Sequence, residues 1–272
     1  MKELIKYLFF SEAVADSYKI LRNIKGKKIF TGVYDNWKDV VDEDPWNNEG
    51  WIEKSKQKLE QNKDINSSSL TVPPNATEIA CYAIPALVLN QMSSKKKCNI
   101  LDYGGGTGDV YYKIVRSLIQ PENINYYVLD NPTLMELGEK YKEAYEQIFF
   151  CHNIPKKIDF DIVLISTTLQ YIEDYKKWLE PVIDLNPKYF LFMRLWAGDF
   201  SNDFITSQNV HGKITPLKII NHETFINHMA SANYSVIFQG PCSTPIKKEY
   251  LEGIPEEFMP LFDINVVMQR DL

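Results

Sequence analysis

The stretch most able to do chemistry carries one acidic residue followed by a run of glycines, namely Asp102, Gly104, Gly105, Gly106 and Gly108. Residues 99–103 are short and mostly apolar, which is typical of a buried parallel strand, and a helical pattern begins at Val110. A glycine turn between a strand and a helix lets a ligand touch the backbone at the positive end of the helix dipole. The pattern therefore predicts a binding site in this turn.

The spacing of the glycines separates two classes of nucleotide-containing ligand. In the dinucleotide fingerprint, a third glycine would be needed at the position of Asp109. The spacing Asp-x-Gly-x-Gly-x-Gly fits instead, and here the chain resembles the class I S-adenosylmethionine-dependent methyltransferases, whose first motif has this form. In that family the turn passes under the methionine part of the cofactor, and the acidic residue, here Asp102, helps to hold the turn and the amino-acid moiety. A purely structural turn in another doubly wound protein is the alternative.

Further candidates follow from the rule that open α/β sheets bind ligands at the carboxyl ends of their strands. Asp130 ends the second predicted strand, where a carboxylate can accept two hydrogen bonds from a ribose diol. The resembling family has an acidic residue there that holds the cofactor ribose, whereas the alternative is a helix-capping Asp before Pro132. The remaining cofactor candidates at strand ends are Asn131, His152, Asn153, Ser166 and Thr167. By the resemblance, His152 and Asn153 border the adenine, and the loop from Ser166 lies near the sulfonium.

The chemistry of methyl transfer selects the catalytic candidates. An in-line displacement needs alignment, and a sugar hydroxyl acceptor also needs a general base, for which His211 is the first candidate and His152 the second. An anionic acceptor, such as a phosphoryl or phosphoramidate oxygen, needs cations instead, and Arg194, Lys213 and Lys247 are available. The sequence leaves both open. Arg194 emerges from a buried strand, so its guanidinium must find a carboxylate, a carbonyl or a ligand anion. The substrate candidates are Tyr34, Trp37, Gln170, Tyr171, Arg194 and Gln208.

Strands and helices alternate from Cys98 onward, which indicates a parallel sheet with crossover helices. The predicted strands are 99–103, 124–130, 148–151, 161–166, 189–195, 234–238 and 264–269. The resemblance implies an α/β fold with a doubly wound, seven-stranded, mostly parallel sheet, Rossmann-like, and an N-terminal helical or irregular cap. Residues 1–97 are predicted to form the cap and a lead-in helix, and residues 98–272 the cofactor-binding domain.

The cap prediction rests on segment 30–51, which is rich in aromatic residues. The segment lacks the regular spacing of apolar residues that would bury these rings in a separate core. We expect it to close over the acceptor side of the pocket, with Tyr34 or Trp37 lining it, and the alternative is that these rings pack on the main domain. Residues 30–37, 169–172 and 206–209 resemble a bacterial methyltransferase subgroup associated with surface-polysaccharide genes, whose acceptor is generally unassigned. No Asn-Pro-Pro-Tyr motif follows the fourth predicted strand, which disfavours methylation of amino groups, so we expect O-methylation of a small polar acceptor in surface-polysaccharide biosynthesis. An NAD-dependent oxidoreductase or epimerase, and a cofactor-binding subunit without catalysis, stay as alternatives.

The composition of the chain limits the classes of partner and the cellular compartment that we expect. The 272 residues carry a net charge of -6 without a dense basic patch, which argues against nucleic acid. Four widely spaced cysteines without a CxxC pair argue against zinc and a disulfide framework, and suit a reducing cytoplasm. No run approaches the length of a membrane span. We therefore expect a cytoplasmic enzyme without a metal, which uses S-adenosylmethionine, releases S-adenosylhomocysteine and acts on a small-molecule or nucleotide- or sugar-linked acceptor.

Overall fold

The computed structural model describes residues 28–40, 46, 48–62, 76–94, 96–141, 146–210, 212–242 and 245–271. Within these ranges the chain forms eleven strands, joined in one sheet, and six α-helices. The strands are β1 (Phe30–Tyr34), β2 (Cys98–Tyr103), β3 (Ile124–Leu129), β4 (Ile148–Cys151), β5 (Ile162–Ser166), β6 (Tyr189–Gly198), β7 (Phe204–Val210), β8 (Lys213–Asn221), β9 (Tyr234–Pro241), β10 (Leu251–Glu252) and β11 (Phe262–Arg270). The helices are α1 (Glu49–Asn62), α2 (Ala76–Ser93), α3 (Asp109–Ile114), α4 (Pro132–Glu139), α5 (Tyr175–Ile183) and α6 (His222–Ser231).

All seven predicted strands lie side by side in the order β4-β3-β2-β5-β6-β11-β9. The first five are parallel, whereas β11 runs antiparallel to β6 and β9 antiparallel to β11. The chain leaves β2 for β3 on one side and returns to β5 on the other, so the strand order reverses at β2. Such a reversal opens a crevice at the carboxyl ends of the strands. The glycine run follows β2 and therefore lies in that crevice.

The predicted number of seven strands is wrong, because four further strands extend the sheet beyond β6. β7 and β8 form an antiparallel hairpin, and β1 lies between β7 and the short β10. The hairpin forms because β-branched residues recur on both sides of Gly212, which has φ +86° and suits a tight connection. Part of the segment predicted as a helical or irregular cap is therefore a strand of this extension.

Buried apolar side chains fill both faces of the sheet. On one face, Leu89 of α2 and Tyr111 of α3 belong to the same buried group as Ile100 of β2. On the other face, Phe225 of α6 belongs to the same buried group as Phe192 of β6. A third group, with Phe30 and Leu217, fills the extension. Helix α2 and strand β1 thus share their cores with the later chain. None of the described helices combines the length and apolar character that a membrane crossing requires.

Candidate functional site

Hydrogen bonds tie the glycine turn to its neighbours on two sides. The Gly104 amide donates to the Leu129 carbonyl at the end of β3, over 2.8 Å. On the other side, the Thr168 hydroxyl donates to the Gly104 carbonyl over 2.8 Å. Within the turn, the Gly108 amide donates to the Gly105 carbonyl over 3.0 Å, just before α3 begins. The turn is therefore held in one shape by β3, by the loop after β5 and by its own backbone.

Asp102 lies directly beneath this turn and is fully buried. The Tyr126 hydroxyl donates to its Oδ2 over 2.8 Å, and its Oδ1 accepts no hydrogen bond from the described residues. A Cβ atom on Gly105 would lie 2.4 Å from the Asp102 Cγ, so the turn can close over the carboxyl group only where glycine stands. The Asp102 carboxyl group is therefore in close packing contact with the turn, and its predicted role in holding the turn stays a prediction. Contact with the amino-acid end of a cofactor stays a prediction.

The environment of Asp102 favours its neutral form. Burial raises its pKa to about 7, the nearby carboxylates of Asp130 and Asp109 add to the rise, and the hydrogen bond from Tyr126 opposes it. The native state therefore binds a proton that the unfolded chain releases at much lower pH. Because the unfolded state binds fewer protons between about pH 4 and 7, this group makes the free energy of unfolding fall as the pH rises through that window.

We expect Asp102→Asn to remove this dependence. The asparagine oxygen can still accept from Tyr126, while no charge forms beneath the turn at high pH. Urea unfolding at pH 5 and pH 8 should show a stability loss of order 1–3 kcal/mol for the wild type and a smaller loss for the variant. Asp130 and Asp263 also have raised pKa values through burial, so the difference between the two proteins is the readout. Equal losses in both would contradict this assignment.

Asp130 bonds to the turn through one carboxylate oxygen and to its own helix entry through the other. Its Oδ2 accepts from the Gly106 amide over 2.8 Å, and its Oδ1 accepts from the Asn131 amide over 2.7 Å. The cap of α4 is Asn131, whose side chain accepts from the Leu134 amide over 3.1 Å. The capping role considered for Asp130 therefore belongs to Asn131. The Asp130 carboxylate lies beside the glycine turn, which is the position that the predicted ribose contact requires.

Gly106 is the point of the turn that faces open space. Its φ is +58°, and a Cβ atom built there would meet no atom within 4 Å. By contrast, a Cβ on Gly104 would lie 2.3 Å from Thr168, and one on Gly108 would lie 2.6 Å from Ile148. The other glycines of the turn are needed for internal packing, whereas Gly106 presents bare backbone to the crevice beside Asp130.

The ends of β4 and β5 carry the other cofactor candidates. His152 and Asn153 are exposed directly after β4. Ser166 is buried at the end of β5, and its carbonyl accepts from the hydroxyls of Thr167 and Thr168. Thr167 is exposed and has φ +56°, and its amide donates to the Met193 carbonyl of β6 over 3.0 Å. These residues follow neighbouring strands around the same crevice.

Polar side chains from distant parts of the sequence meet on the side of β6. The Tyr171 hydroxyl donates to Gln208 Oε1 over 2.6 Å, although the two residues are 37 positions apart. Gln170 is 1% exposed, and neither atom of its amide has a hydrogen-bond partner among the described residues. The prediction that Arg194 needs a partner is confirmed, because Asp263 Oδ2 lies 3.0 Å from its Nε and 2.9 Å from its Nη2. Each of the predicted substrate residues Tyr171, Gln208 and Arg194 thus has a polar partner from a distant part of the sequence.

Trp46, Lys58 and Asp263 also make contacts in the candidate site, although none of them is a predicted site residue. The Trp46 ring centroid lies 4.8 Å from that of Tyr171, and Lys58 forms an ion pair with Asp109 directly after the glycine turn. The aromatic richness of the cap was a signal for Trp46. Lys58 and Asp263 carry no local signal, because each acquires its role from a partner far away in the sequence.

Tyr34 and Trp37, two predicted substrate residues, lie in and shortly after β1. Tyr34 ends β1, and Trp37 begins a short 3-10 turn, Trp37–Asp39, and both are half-buried. Their contact with an acceptor stays a prediction. His211 lies outside the described residues. Within the described part of the chain, no three His, Cys, Asp or Glu side chains are grouped as a metal site would require.

Comparisons with known proteins support the fold. No family model matches the chain. No curated protein matches it either. Among solved structures, the chain is similar to one chain of a protein complex. That complex joins the Haloferax volcanii Trm112 methyltransferase activator to a protein described as a methyltransferase. The TM-score is 0.50 at 14% identity, over 85% of this chain and 97% of that one. This likeness shows the fold.

Two further structures are similar at lower scores. The 1,6-didemethyltoxoflavin-N1-methyltransferase of Burkholderia thailandensis, with bound 1,6-didemethyltoxoflavin and S-adenosylhomocysteine, has a TM-score of 0.46 at 11% identity, over 82% of this chain and 88% of that one. An S-adenosylmethionine-dependent methyltransferase from Clostridium acetobutylicum has a TM-score of 0.46 at 12% identity, over 74% of this chain and 94% of that one.

Proposed function

We propose that this chain is an S-adenosylmethionine-dependent methyltransferase that acts on a small polar acceptor and releases S-adenosylhomocysteine. The observation that carries the proposal is Gly106, a glycine at positive φ with open space above it, whose amide is held by Asp130. Bare backbone next to a carboxylate, between a strand and a helix, fits a ligand that has both an amino-acid end and a ribose. The methyltransferase fold and the Asp-x-Gly-x-Gly-x-Gly motif support the same proposal.

The proposed binding residues follow the strand ends in order. The turn from Gly104 to Gly108 would hold the amino-acid end, and Asp130 would accept hydrogen bonds from the ribose hydroxyls. His152 and Asn153 would border the adenine. Ser166 and Thr167, beside β6, would line the region of the reacting methyl group. Asn131 contributes by capping α4 and so fixing the chain that follows Asp130.

The cofactor supplies a methyl group on a sulfonium, which is poised for in-line displacement. The chain must therefore align the acceptor and keep the crevice dry, tasks for which Tyr171, Gln208 and Trp46 are suitably placed. An oxygen acceptor would also need a base, for which His211 and the exposed His152 are the candidates. We infer transfer to oxygen, a role in surface-polysaccharide synthesis and a cytoplasmic location from the sequence alone.

Calorimetry with a matched pair of glycine variants tests the proposal. Gly106→Ala and Gly212→Ala both put a side chain at positive φ with no atom within 4 Å, so their cost in stability should be similar, about 1–2 kcal/mol. Only the methyl group on Gly106 would enter the cofactor space. We expect Gly106→Ala to weaken S-adenosylhomocysteine binding by about tenfold or more, or about 1.4 kcal/mol, and Gly212→Ala to leave it unchanged. Binding of NAD in place of S-adenosylhomocysteine by the wild type would overturn the proposal.

A further inference from the structure

Residues 224–246 are the longest stretch of the sequence without Asp, Glu, Lys or Arg, although these four residue types make up 24% of the chain. The stretch covers most of α6 and the whole of β9. It is not confined to the core, because both elements have exposed residues within it, among them Asn227, Ala230 and Ser231 on α6 and Ser235, Ile237, Phe238 and Gln239 on β9. We call these residues the α6–β9 surface. Depletion of charge is typical of surfaces that bind another protein.

Strand β9 lies at an edge of the sheet. It pairs with β11 on one side, and none of the strands in the described ranges lies on its other side. Its eight residues exceed the four of β4 and the two of β10, which end the sheet elsewhere. Proteins usually protect an exposed edge by making the strand short or by placing charged side chains or proline on it. β9 is long and uncharged, and its proline is its last residue, so its free backbone groups are open to pairing with another strand.

A β-bulge coincides with the most exposed apolar side chains of this surface. Phe238 pairs with Val267 of β11 and Val236 pairs with Met268, so Ile237 between them is an extra residue without a partner on β11. Ile237 is 53% exposed and Phe238 is 38% exposed. A bulge that served only to deter pairing would not need two adjacent apolar side chains in contact with water. Their burial against a partner would favour association.

A groove of about 550 Å³ lies beside β9, between this strand and α6. Its apolar lining comes from Ile226 on α6 and from Val236 and Phe238 on β9. Of the residues that line it, Glu223 alone carries a full charge, and Glu223 lies in the first turn of α6, before the uncharged stretch. The α6–β9 surface therefore has protruding apolar side chains and, directly beside them, a groove that can receive such side chains.

We propose that the α6–β9 surface is the interface of a symmetric homodimer, in which the β9 strands of two copies of this chain pair antiparallel. A two-fold axis perpendicular to the sheet would place Ile237 and Phe238 of each copy beside the groove of the other. One surface thus supplies both the protruding side chains and the groove, as a self-complementary interface requires. This inference goes beyond the proposed activity and does not depend on it.

The distribution of charge favours a second copy of the chain over a different partner. A two-fold interface brings identical residues close together, so any charge on it would meet a charge of the same sign. Residues 224–246 avoid that repulsion in a chain whose net charge is -6. A different protein partner would be selected by complementary charges on this surface, and the stretch carries none.

The size of the contact indicates a weak dimer. One strand of eight residues beside one helix is a small surface, at the low end of specific interfaces. We therefore expect a dissociation constant in the micromolar range. Added salt should not weaken the association, because neither backbone pairing nor apolar burial depends on opposite charges.

Sedimentation velocity and hydrogen exchange on the full chain test the inference. Between about 1 and 100 µM, we expect the weight-average mass to rise from that of one chain towards that of two, at low and at high salt alike. Amide exchange within residues 235–241 should slow over the same range, because β9 gains hydrogen-bond partners. A chain that stays monomeric, whether or not another segment protects β9, would overturn the inference. A dimer in which these amides exchange as fast as in the monomer would also overturn it.

Two matched isoleucine variants give the residue-specific control. Ile237→Lys puts charges of the same sign on both sides of the contact, and it should weaken association by roughly tenfold or more. Ile119→Lys makes the same change at an isoleucine that is 83% exposed and lies outside the α6–β9 surface, and it should leave association unchanged. Both side chains are exposed, so both variants should melt close to the wild type. Association that the folded Ile237→Lys variant retains, or that both variants weaken equally, would overturn the inference.

Discussion

Replacing Asp130 by alanine is expected to weaken S-adenosylhomocysteine binding by roughly 10- to 100-fold, which corresponds to the 1.5–3 kcal/mol of hydrogen bonds to a charged group. Two losses act together in this variant. The ribose hydroxyls lose their acceptor, and the Gly106 amide loses the carboxylate that now orients it at 2.8 Å. Isothermal titration calorimetry on the purified variant gives the change in affinity directly.

Asp174→Ala is the matched control, because it makes the same substitution at a carboxylate that caps α5 and does not bond to the glycine turn. The lost cap of α5 should lower the free energy of unfolding by about 1 kcal/mol and leave S-adenosylhomocysteine affinity within about twofold of the wild type. The reverse pattern for Asp130→Ala, a loss of stability without a loss of affinity, would contradict the ribose assignment. If Asp130→Ala lowers the melting temperature but binds the ligand normally, Asp130 is a structural residue and the ribose assignment fails.

The part of the candidate site around the glycine turn could be predicted because its signals are local. The glycine run forces a turn between β2 and α3 whatever surrounds it, and the strand rule then selects Asp130 from its position alone. Capping was harder to assign, because Asp130 and Asn131 are both good caps and only the backbone geometry decides between them. The sequence could therefore predict that a carboxylate lies beside the glycine turn, but not which of two adjacent side chains caps the helix.

The contact between Arg194 and Asp263 depends on long-range register, which leaves no local signal. Arg194 and Asp263 are 69 residues apart, and they meet only because β11 pairs antiparallel with β6 and shifts register at a β-bulge. A one-residue slip in that register would send the arginine to the other face. Strand β1 carries no local signal for a related reason, since its partners β7 and β10 lie more than 170 positions later in the chain.

Trp46 and helix α1 contact two parts of the candidate site. Trp46 packs edge-on against Tyr171, with 4.8 Å between ring centroids, and Lys58 on α1 pairs with Asp109 immediately after the glycine turn. Glu60 on the same helix accepts from the Tyr141 hydroxyl over 3.1 Å. A segment anchored on both sides of a crevice limits the escape of anything bound within it. Deleting the whole cap would be a poor test, because β1 and the buried Phe30 belong to the extended sheet.

Trp46→Ala combined with Lys58→Ala should therefore release S-adenosylhomocysteine roughly tenfold faster than the wild type, with a smaller effect from each single change. An aromatic pair contributes about 0.5–1.5 kcal/mol and a partly exposed ion pair about 0.2–1 kcal/mol, so their joint loss is of the order that changes a rate tenfold. Stopped-flow displacement of bound ligand measures the dissociation rate, and calorimetry the affinity.

Gln57→Ala is the control on the same helix, because it breaks only a surface hydrogen bond to Glu53 within α1. It should leave the dissociation rate unchanged, since neither Gln57 nor Glu53 ties α1 to the crevice through that bond. The competing view is that Trp46 and Lys58 serve stability alone. That view would be upheld if the double variant melted several degrees lower while the folded protein released S-adenosylhomocysteine at the wild-type rate, because a structural anchor raises the unfolding temperature whereas a lid slows the departure of the ligand.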